Sequence, residues 1–132
     1  MGVFGSLEEA RAYFTKDTFA TGNGMEIVEI GEGTAVTRMT VDGRHLNAEG
    51  GVMGGVIFTL ADFAFAAAVN NVHRPTVALQ VSINYLTAPK DKVLIARAHQ
   101  VRDGRTTCVY DIDVEDGLGR RIAQFVGTGY KL

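Results

Sequence analysis

Asp62 has the clearest chemical potential in this sequence, because it is the single charge in a long apolar segment. That segment, GGVIFTLADFAFAAAVN from Gly54 to Asn70, contains twelve apolar residues. Burying a carboxylate without compensation is costly, so an isolated acid here favours a functional role. The alternative is a buried carboxylate that only bonds a neighbouring backbone group or a partner side chain.

The residues that open the segment could stabilise a developing negative charge. If the segment is a helix, Gly54 and Gly55 lie in its first turn, where backbone N–H groups have no intrahelical acceptor and the helix dipole favours an anion. Asn47 precedes them in a long loop, roughly Arg44 to Met53. Loops of this length are often functional, although asparagine is also an ordinary turn residue.

The apolar segment predicts a buried core helix and not a membrane span. It is at the short end of the length needed to cross a bilayer, and it carries Asp62 near its centre. A helix that is apolar on all sides must be enclosed by protein when it is not enclosed by lipid.

The rest of the chain predicts one short helix and six strands. Ser6 followed by two acids indicates a helix that runs to about Phe14. Alternation and β-branched runs predict strands at Met25–Ile30, Ala35–Val41, Thr76–Leu86, Lys92–Val101, Arg105–Val114 and Arg121–Tyr130. Residues 1–132 are therefore expected to form one α+β domain, a six-stranded antiparallel sheet wrapped around one long helix.

One of these strands, Thr76–Leu86, is predicted to have an apolar and a polar face. The alternation places Val77, Leu79, Val81, Ile83 and Tyr85 on the apolar face, and Gln80, Ser82 and Asn84 on the polar face.

Composition narrows the classes of function. The 132 residues are 46% apolar with a net charge of −2, which argues against disorder and against nucleic-acid binding through bulk positive charge. A single cysteine, Cys108, excludes an intramolecular disulfide, and the first residues contain no apolar leader, so we expect a cytoplasmic protein. The three histidines lack metal-ligand spacing, and no metal site is predicted.

Two features of the sequence resemble the hotdog-fold acyl-CoA thioesterases of the PaaI-type, phenylacetate-degradation branch. They are the order of the elements and the segment from Asn47 to Asp62, which reads N-A-E-G-G-V-M-G-G-V-I-F-T-L-A-D. Asn47, the Met53-Gly54-Gly55 triplet and Asp62 keep that family's spacing, and Y-L-x-x-P at Tyr85–Pro89 is also similar. Met53 stands where the family most often has histidine, and its thioether neither donates a hydrogen bond nor takes a proton.

The resemblance implies thioester hydrolysis at a site shared between subunits. Asp62 is then the nucleophile or the general base, while the Gly54 N–H and Asn47 polarise the thioester carbonyl. In the family the acid and the carbonyl donors come from different subunits, so a homodimer or homotetramer is expected. No resident cofactor is implied, because coenzyme A is part of the substrate.

Further residues are candidates for holding an acyl-CoA. Met53, Phe58, Phe63 and Phe65 are expected to line an apolar pocket for the acyl group, which we expect to be medium-chain or aryl. Gly55, Gln80 and Ser82 are further candidates for contacts with the substrate. Because the chain has a net charge of −2, the phosphates of coenzyme A must be bound by a local group of basic residues. Arg102 and Arg105 at the Asp103-Gly104 turn are the first candidates for this, among basic residues that also include Lys90, Lys92, Arg120 and Arg121, although ordinary solubilising charges have the same pattern.

Two other functions fit the sequence less well. The first is a non-catalytic acyl-CoA-binding hotdog protein, either a sensor or an inactive relative, which Met53 favours, as does Ala78 where the family commonly has a hydroxyl residue. The second is a hydroxyacyl dehydratase, which ranks last because the long helix contains no paired histidine and acid.

Overall fold

The computed structural model describes residues 2–132. Its helices are α1 (Leu7–Phe14), α2 (Thr18–Gly22) and α3 (Gly54–Val72). Its strands are β1 (Glu26–Gly31), β2 (Thr34–Thr40), β3 (Thr76–Tyr85), β4 (Val93–Asp103), β5 (Thr107–Asp116) and β6 (Arg121–Lys131). They form one antiparallel sheet in the order β1-β2-β4-β5-β6-β3, which confirms the predicted α+β arrangement.

Side-chain caps start the two N-terminal helices. The Ser6 hydroxyl accepts the Glu9 N–H at 3.1 Å at the start of α1, as the sequence predicts. The five-residue helix α2 was not predicted, because it has no apolar periodicity. Asp17 caps it by accepting the Ala20 N–H at 3.1 Å.

Helix α3 lies against the inner face of the sheet, as expected for a core helix. By length and composition it could cross a membrane, but 61% of its most apolar window is buried inside the protein. The Phe65 ring packs between Tyr110 and Phe125 at centroid distances of 5.9 and 6.0 Å. Gly127 lets the sheet approach that ring, since a Cβ there would lie 2.9 Å from Phe65 Cζ.

The predicted faces of β3 are wrong at its N-terminal end. A bulge between Ala78 and Gln80 interrupts the alternation, because an extra residue on one strand shifts every side chain beyond it to the other face. Val77 pairs with Tyr130 on the outer face, the face that also carries Gln80. The inward residues after the bulge are Val81, Ile83 and Tyr85.

Strand β3 is an edge of the sheet and remains largely exposed. Leu79 and Tyr85 are 62% and 52% exposed, and Val77 is also exposed. In the part of the chain that the structure describes, β6 is the one strand that pairs with β3. An apolar edge strand of ten residues is suited to pairing with another chain.

Candidate active site

The first turn of α3 has two backbone amides that have no partner within residues 2–132. The Met53 N–H donates to the His45 carbonyl at 2.9 Å, which fixes the chain just ahead of the helix. The N–H groups of Gly54 and Gly55 donate to no acceptor within residues 2–132. Because a helix of 19 residues also contributes its dipole, these amides favour a ligand atom that carries negative charge.

Asn47 shapes this loop with its side-chain oxygen and leaves its side-chain nitrogen available. The oxygen accepts the N–H groups of Glu49 and Gly51 at 2.9 and 3.1 Å. The side-chain amide nitrogen has no acceptor among residues 2–132, so it remains a hydrogen-bond donor. Asn47 is therefore a turn residue that also exposes one donor.

Tyr85, at the end of β3, supports the first turn of α3. Its hydroxyl donates to the Gly54 carbonyl at 2.9 Å, although the two residues are 31 positions apart in sequence. A Cβ on Gly54 would lie 3.2 Å from the Tyr85 ring and hydroxyl. This contact was not predicted, because the sequence places Tyr85 only in the Y-L-x-x-P motif.

Asp62 lies on the outer stripe of α3, between the buried residues Ala61 and Phe63, and its side chain is half-buried. It makes no hydrogen bond or ion pair with residues 2–132, so the protomer supplies no structural partner for the carboxylate. Burial raises the pKa of the Asp62 carboxyl, and the nearby charge of Asp17 adds to that increase.

Two cavities flank the start of α3. Asn47, Gly54 and Tyr85 line one of about 360 Å³. Met53, Gly55 and Phe58 line the other, of about 510 Å³, whose remaining lining includes Phe19, Met25 and Val56. Five of the predicted site residues therefore surround the first turns of the helix. Phe63 and Phe65, also expected in the acyl pocket, are instead buried in the core and do not line this cavity.

Asp62 and the Gly54 amide are far apart within one protomer. Asp62 follows Gly54 by eight residues, which places it about 12 Å farther along the helix axis. A carbonyl oxygen bonded to the Gly54 amide, at about 3 Å, is therefore out of reach of the carboxylate of the same chain.

Four other predicted residues lie away from this region in the protomer. Gln80 and Ser82 are on the outer face of β3, which is turned away from α3. Arg102 and Arg105 are at the turn between β4 and β5. Arg102 is about 30 Å along β4 from Val93, the first residue of that strand. Residues 2–132 contain no cluster of three side chains able to hold a metal ion.

Comparison with known proteins identifies the family. Residues 49–123 match the thioesterase superfamily model, so the chain belongs to the thioesterase superfamily, a family of thioester hydrolases. The chain is 33% identical to the Escherichia coli acyl-coenzyme A thioesterase PaaI over 126 residues, which cover 95% of this chain and 90% of that protein. The predicted resemblance to the PaaI-type branch is confirmed.

Solved structures agree with this assignment. The E. coli PaaI structure superposes with a TM-score of 0.88 at 32% identity, covering 96% of each chain. A Streptococcus pneumoniae thioesterase protein, solved with coenzyme A, superposes with a TM-score of 0.83 at 35% identity, covering 90% of this chain and 94% of that one. The hotdog fold predicted from the sequence is confirmed.

Proposed function

We propose that this protein hydrolyses acyl-CoA thioesters, using carbonyl donors from one protomer and Asp62 from a second. The observation that carries the proposal is the pair of unpartnered amides at Gly54 and Gly55. It is supported by the name of the E. coli relative and by the coenzyme A in the S. pneumoniae structure.

The donors act on the thioester carbonyl. The carbonyl oxygen accepts hydrogen bonds from the Gly54 N–H and from the side-chain NH₂ of Asn47. These donors stabilise the negative charge that develops on the oxygen when the carbonyl carbon is attacked. Preorganised donors of this kind are worth about 3 kcal/mol each in transition-state stabilisation.

Asp62 supplies the attack, in one of two ways. Its carboxylate adds to the carbonyl carbon, the C–S bond breaks, and water then hydrolyses the resulting mixed anhydride. Alternatively, the carboxylate removes a proton from water, which adds to the same carbon before the C–S bond breaks. Both routes yield a free acid and the thiol of coenzyme A, and the raised pKa of Asp62 makes it a better base.

The axial separation between Asp62 and Gly54 requires a second copy of the chain, in a homodimer or a homotetramer. The apolar edge of β3 supports this arrangement, because pairing there would extend the sheet across two protomers. The acyl group enters the cavity beside Met53 and Phe58, whose volume suits a medium-chain or aryl group.

The first test is thiol release from a panel of acyl-CoAs by wild type and Asp62→Asn. The nearly isosteric change should lower kcat at least 100-fold with an unchanged unfolding temperature, because it removes the base or nucleophile. Asp111→Asn, on the outer face of β5, is the matched control and should keep wild-type rates.

Two outcomes would contradict the proposal. Wild-type rates in Asp62→Asn would remove the assignment of the acid. A wild-type protein that binds coenzyme A but releases no thiol from any acyl-CoA would instead support the non-catalytic alternative that Met53 favours.

A further inference from the structure

Met53 occupies the N-cap position of α3 without capping the helix. Its side chain makes no hydrogen bond to the first turn and is 53% exposed. Its Cγ lies 4.0 Å from the point that a Cβ on Gly55 would occupy, so the side chain lies close to the first turn. It also lines the 510 Å³ cavity together with Phe58. The thioether therefore borders both the candidate acyl cavity and the turn that carries the free amides.

The other sulfur atoms in residues 2–132 are shielded from solvent. Met25, Met39 and Cys108 are 3%, 1% and 2% exposed. Burial also raises the pKa of the Cys108 thiol, and a thiol that stays protonated is a poor nucleophile toward a peroxide. Among the described residues, Met53 is thus the sulfur that an oxidant in solution reaches most readily.

Oxidation of a thioether by a peroxide gives a sulfoxide. The sulfur attacks one oxygen of hydrogen peroxide, the O–O bond breaks, and the other oxygen leaves as water with the proton of the transferred hydroxyl group. The sulfur loses two electrons and the peroxide gains them. The flexible apolar side chain thereby acquires a polar oxygen that accepts hydrogen bonds.

This new oxygen has a hydrogen-bond donor within reach. An N-cap side chain that accepts a hydrogen bond takes it from the second or third amide of the helix. The third, the Val56 N–H, already donates to the Met53 carbonyl at 3.0 Å, whereas the second, the Gly55 N–H, has no acceptor within residues 2–132. A methionine sulfoxide oxygen is as many bonds from Cα as the side-chain oxygen of glutamine, which is long enough to turn back to this amide.

We propose that Met53 is a site of oxidation at which a peroxide inactivates the protein. The inference rests on the proposed thioesterase function, in which the thioester carbonyl approaches the first turn of α3. The sulfoxide engages the Gly55 N–H and places a polar group in the wall of the acyl cavity, where covering it with an acyl chain is unfavourable. Because an acyl-CoA must reach this cavity to be hydrolysed, a peroxide, which is much smaller, reaches Met53 in any active assembly.

The test treats the purified protein with hydrogen peroxide, removes the peroxide with catalase and measures thiol release from an acyl-CoA. Wild type should lose at least about tenfold in kcat/KM, in step with the gain of one oxygen by the peptide that contains Met53. Met53→Leu, of similar volume but without sulfur, should keep the rate that it has before treatment. Met39→Leu is the matched control and should be inactivated as wild type is.

Met53→Gln imitates the oxidised side chain, because its amide oxygen takes the place of the sulfoxide oxygen. Without any treatment it should have the low kcat/KM of oxidised wild type. Its Gly55 amide signal in a nitrogen–proton correlation spectrum should shift from the wild-type position in the same direction as after oxidation. A Met53→Gln protein with wild-type kcat/KM would overturn the proposal.

Two of these measurements are independent of hydrolysis, namely the position of the added oxygen and the shift of the Gly55 amide. If wild type releases no thiol before treatment, the proposed function fails, while oxygen found first on Met53 together with a shifted Gly55 amide still supports the modification site. The proposal is overturned if Met25, Met39 or Cys108 is oxidised before Met53. It is also overturned if oxidation leaves the Gly55 amide unchanged, or if Met53→Leu is inactivated as fast as wild type.

Discussion

At the scale of single residues, the candidate site consists of groups that their own chain leaves unpaired. The amides of Gly54 and Gly55 and the carboxylate of Asp62 have no partner among the described residues, 2–132. The proposed function gives these groups partners in a ligand and a second subunit.

Tyr85 is expected to position the amides for catalysis. Its hydroxyl donates to the Gly54 carbonyl, which fixes the first turn of α3 and with it the direction of the Gly54 N–H. Tyr85→Phe should therefore lower kcat about tenfold, a loss of about 1.4 kcal/mol, with KM within twofold. Steady-state kinetics on an acyl-CoA measures both.

The matched control for Tyr85→Phe is Tyr130→Phe, which removes a hydroxyl from the exposed outer face of β6. It should leave both parameters unchanged. A Tyr85→Phe enzyme with wild-type kcat would show that the ring, and not the hydroxyl, is what the first turn of α3 requires.

The pH dependence of activity should report on Asp62 and its neighbour Asp17. Asp62 must be ionised to act, so kcat/KM rises with pH through the Asp62 pKa, which burial and the Asp17 charge hold above 3.8. Asp17→Asn removes that charge while still capping α2, and should shift the acid limb to lower pH. An acid limb that does not move would contradict the role of Asp17.

The same increase in pKa has a consequence for stability. A carboxyl whose pKa is higher in the folded state binds its proton more tightly there than in the unfolded chain. Its contribution to stability is therefore largest at low pH and is lost as pH rises from 3.8 through the raised pKa of Asp62.

At the scale of elements, the close packing of α3 on β6 depends on glycine. A Cβ on Gly127 would lie 2.9 Å from the Phe65 ring, which is itself buried between other aromatic rings. Gly127→Ala should lower the free energy of unfolding by about 1–3 kcal/mol, because the helix must move or the ring must leave its rotamer. Urea denaturation measures the change.

Gly22→Ala is the matched control for this packing effect. Gly22 ends α2, and a Cβ there would meet no atom within 4 Å. The change should be neutral or slightly stabilising, because alanine reduces the freedom of the unfolded chain. If both variants were equally stable, the approach of α3 to the sheet would not depend on Gly127.

The bounds of the helices and strands show which features of the fold are encoded by residues close together in sequence. The bounds of α1, α3 and the strands follow from caps, alternation and turn residues that are close together in sequence, and most were predicted to within two residues. The short helix α2 and the bulge in β3 were missed. Neither α2 nor the bulge changes the pattern of apolar residues enough to be recognised from the sequence. The bulge is defined only by how β3 pairs with β6.

At the scale of the whole molecule, the site should be assembled from two chains. Asp62→Asn lacks the acid, and Gly54→Pro lacks the first free amide while keeping a residue suited to the start of a helix. Each homo-oligomer should be inactive. A purified heterodimer, made by co-expression with two different tags, should regain about half of the wild-type activity per dimer, because one of its two sites is intact.

This complementation distinguishes a shared site from a site within one chain. If the acid and the amides acted within one protomer, every protomer of the heterodimer would carry a defect and activity would stay absent. Circular dichroism of Gly54→Pro confirms that the variant is folded before mixing.

The sequence by itself determined the class of protein and supplied the candidates for the central groups of the site. The loop asparagine, the glycine pair and the lone acid lie within 16 residues, so their spacing alone predicts an acid beyond a helix start. Tertiary structure decided which other residues join them. Tyr85 meets Gly54 across 31 positions. Such contacts exist only once the sheet has closed around α3, because no local pattern brings distant strand ends together.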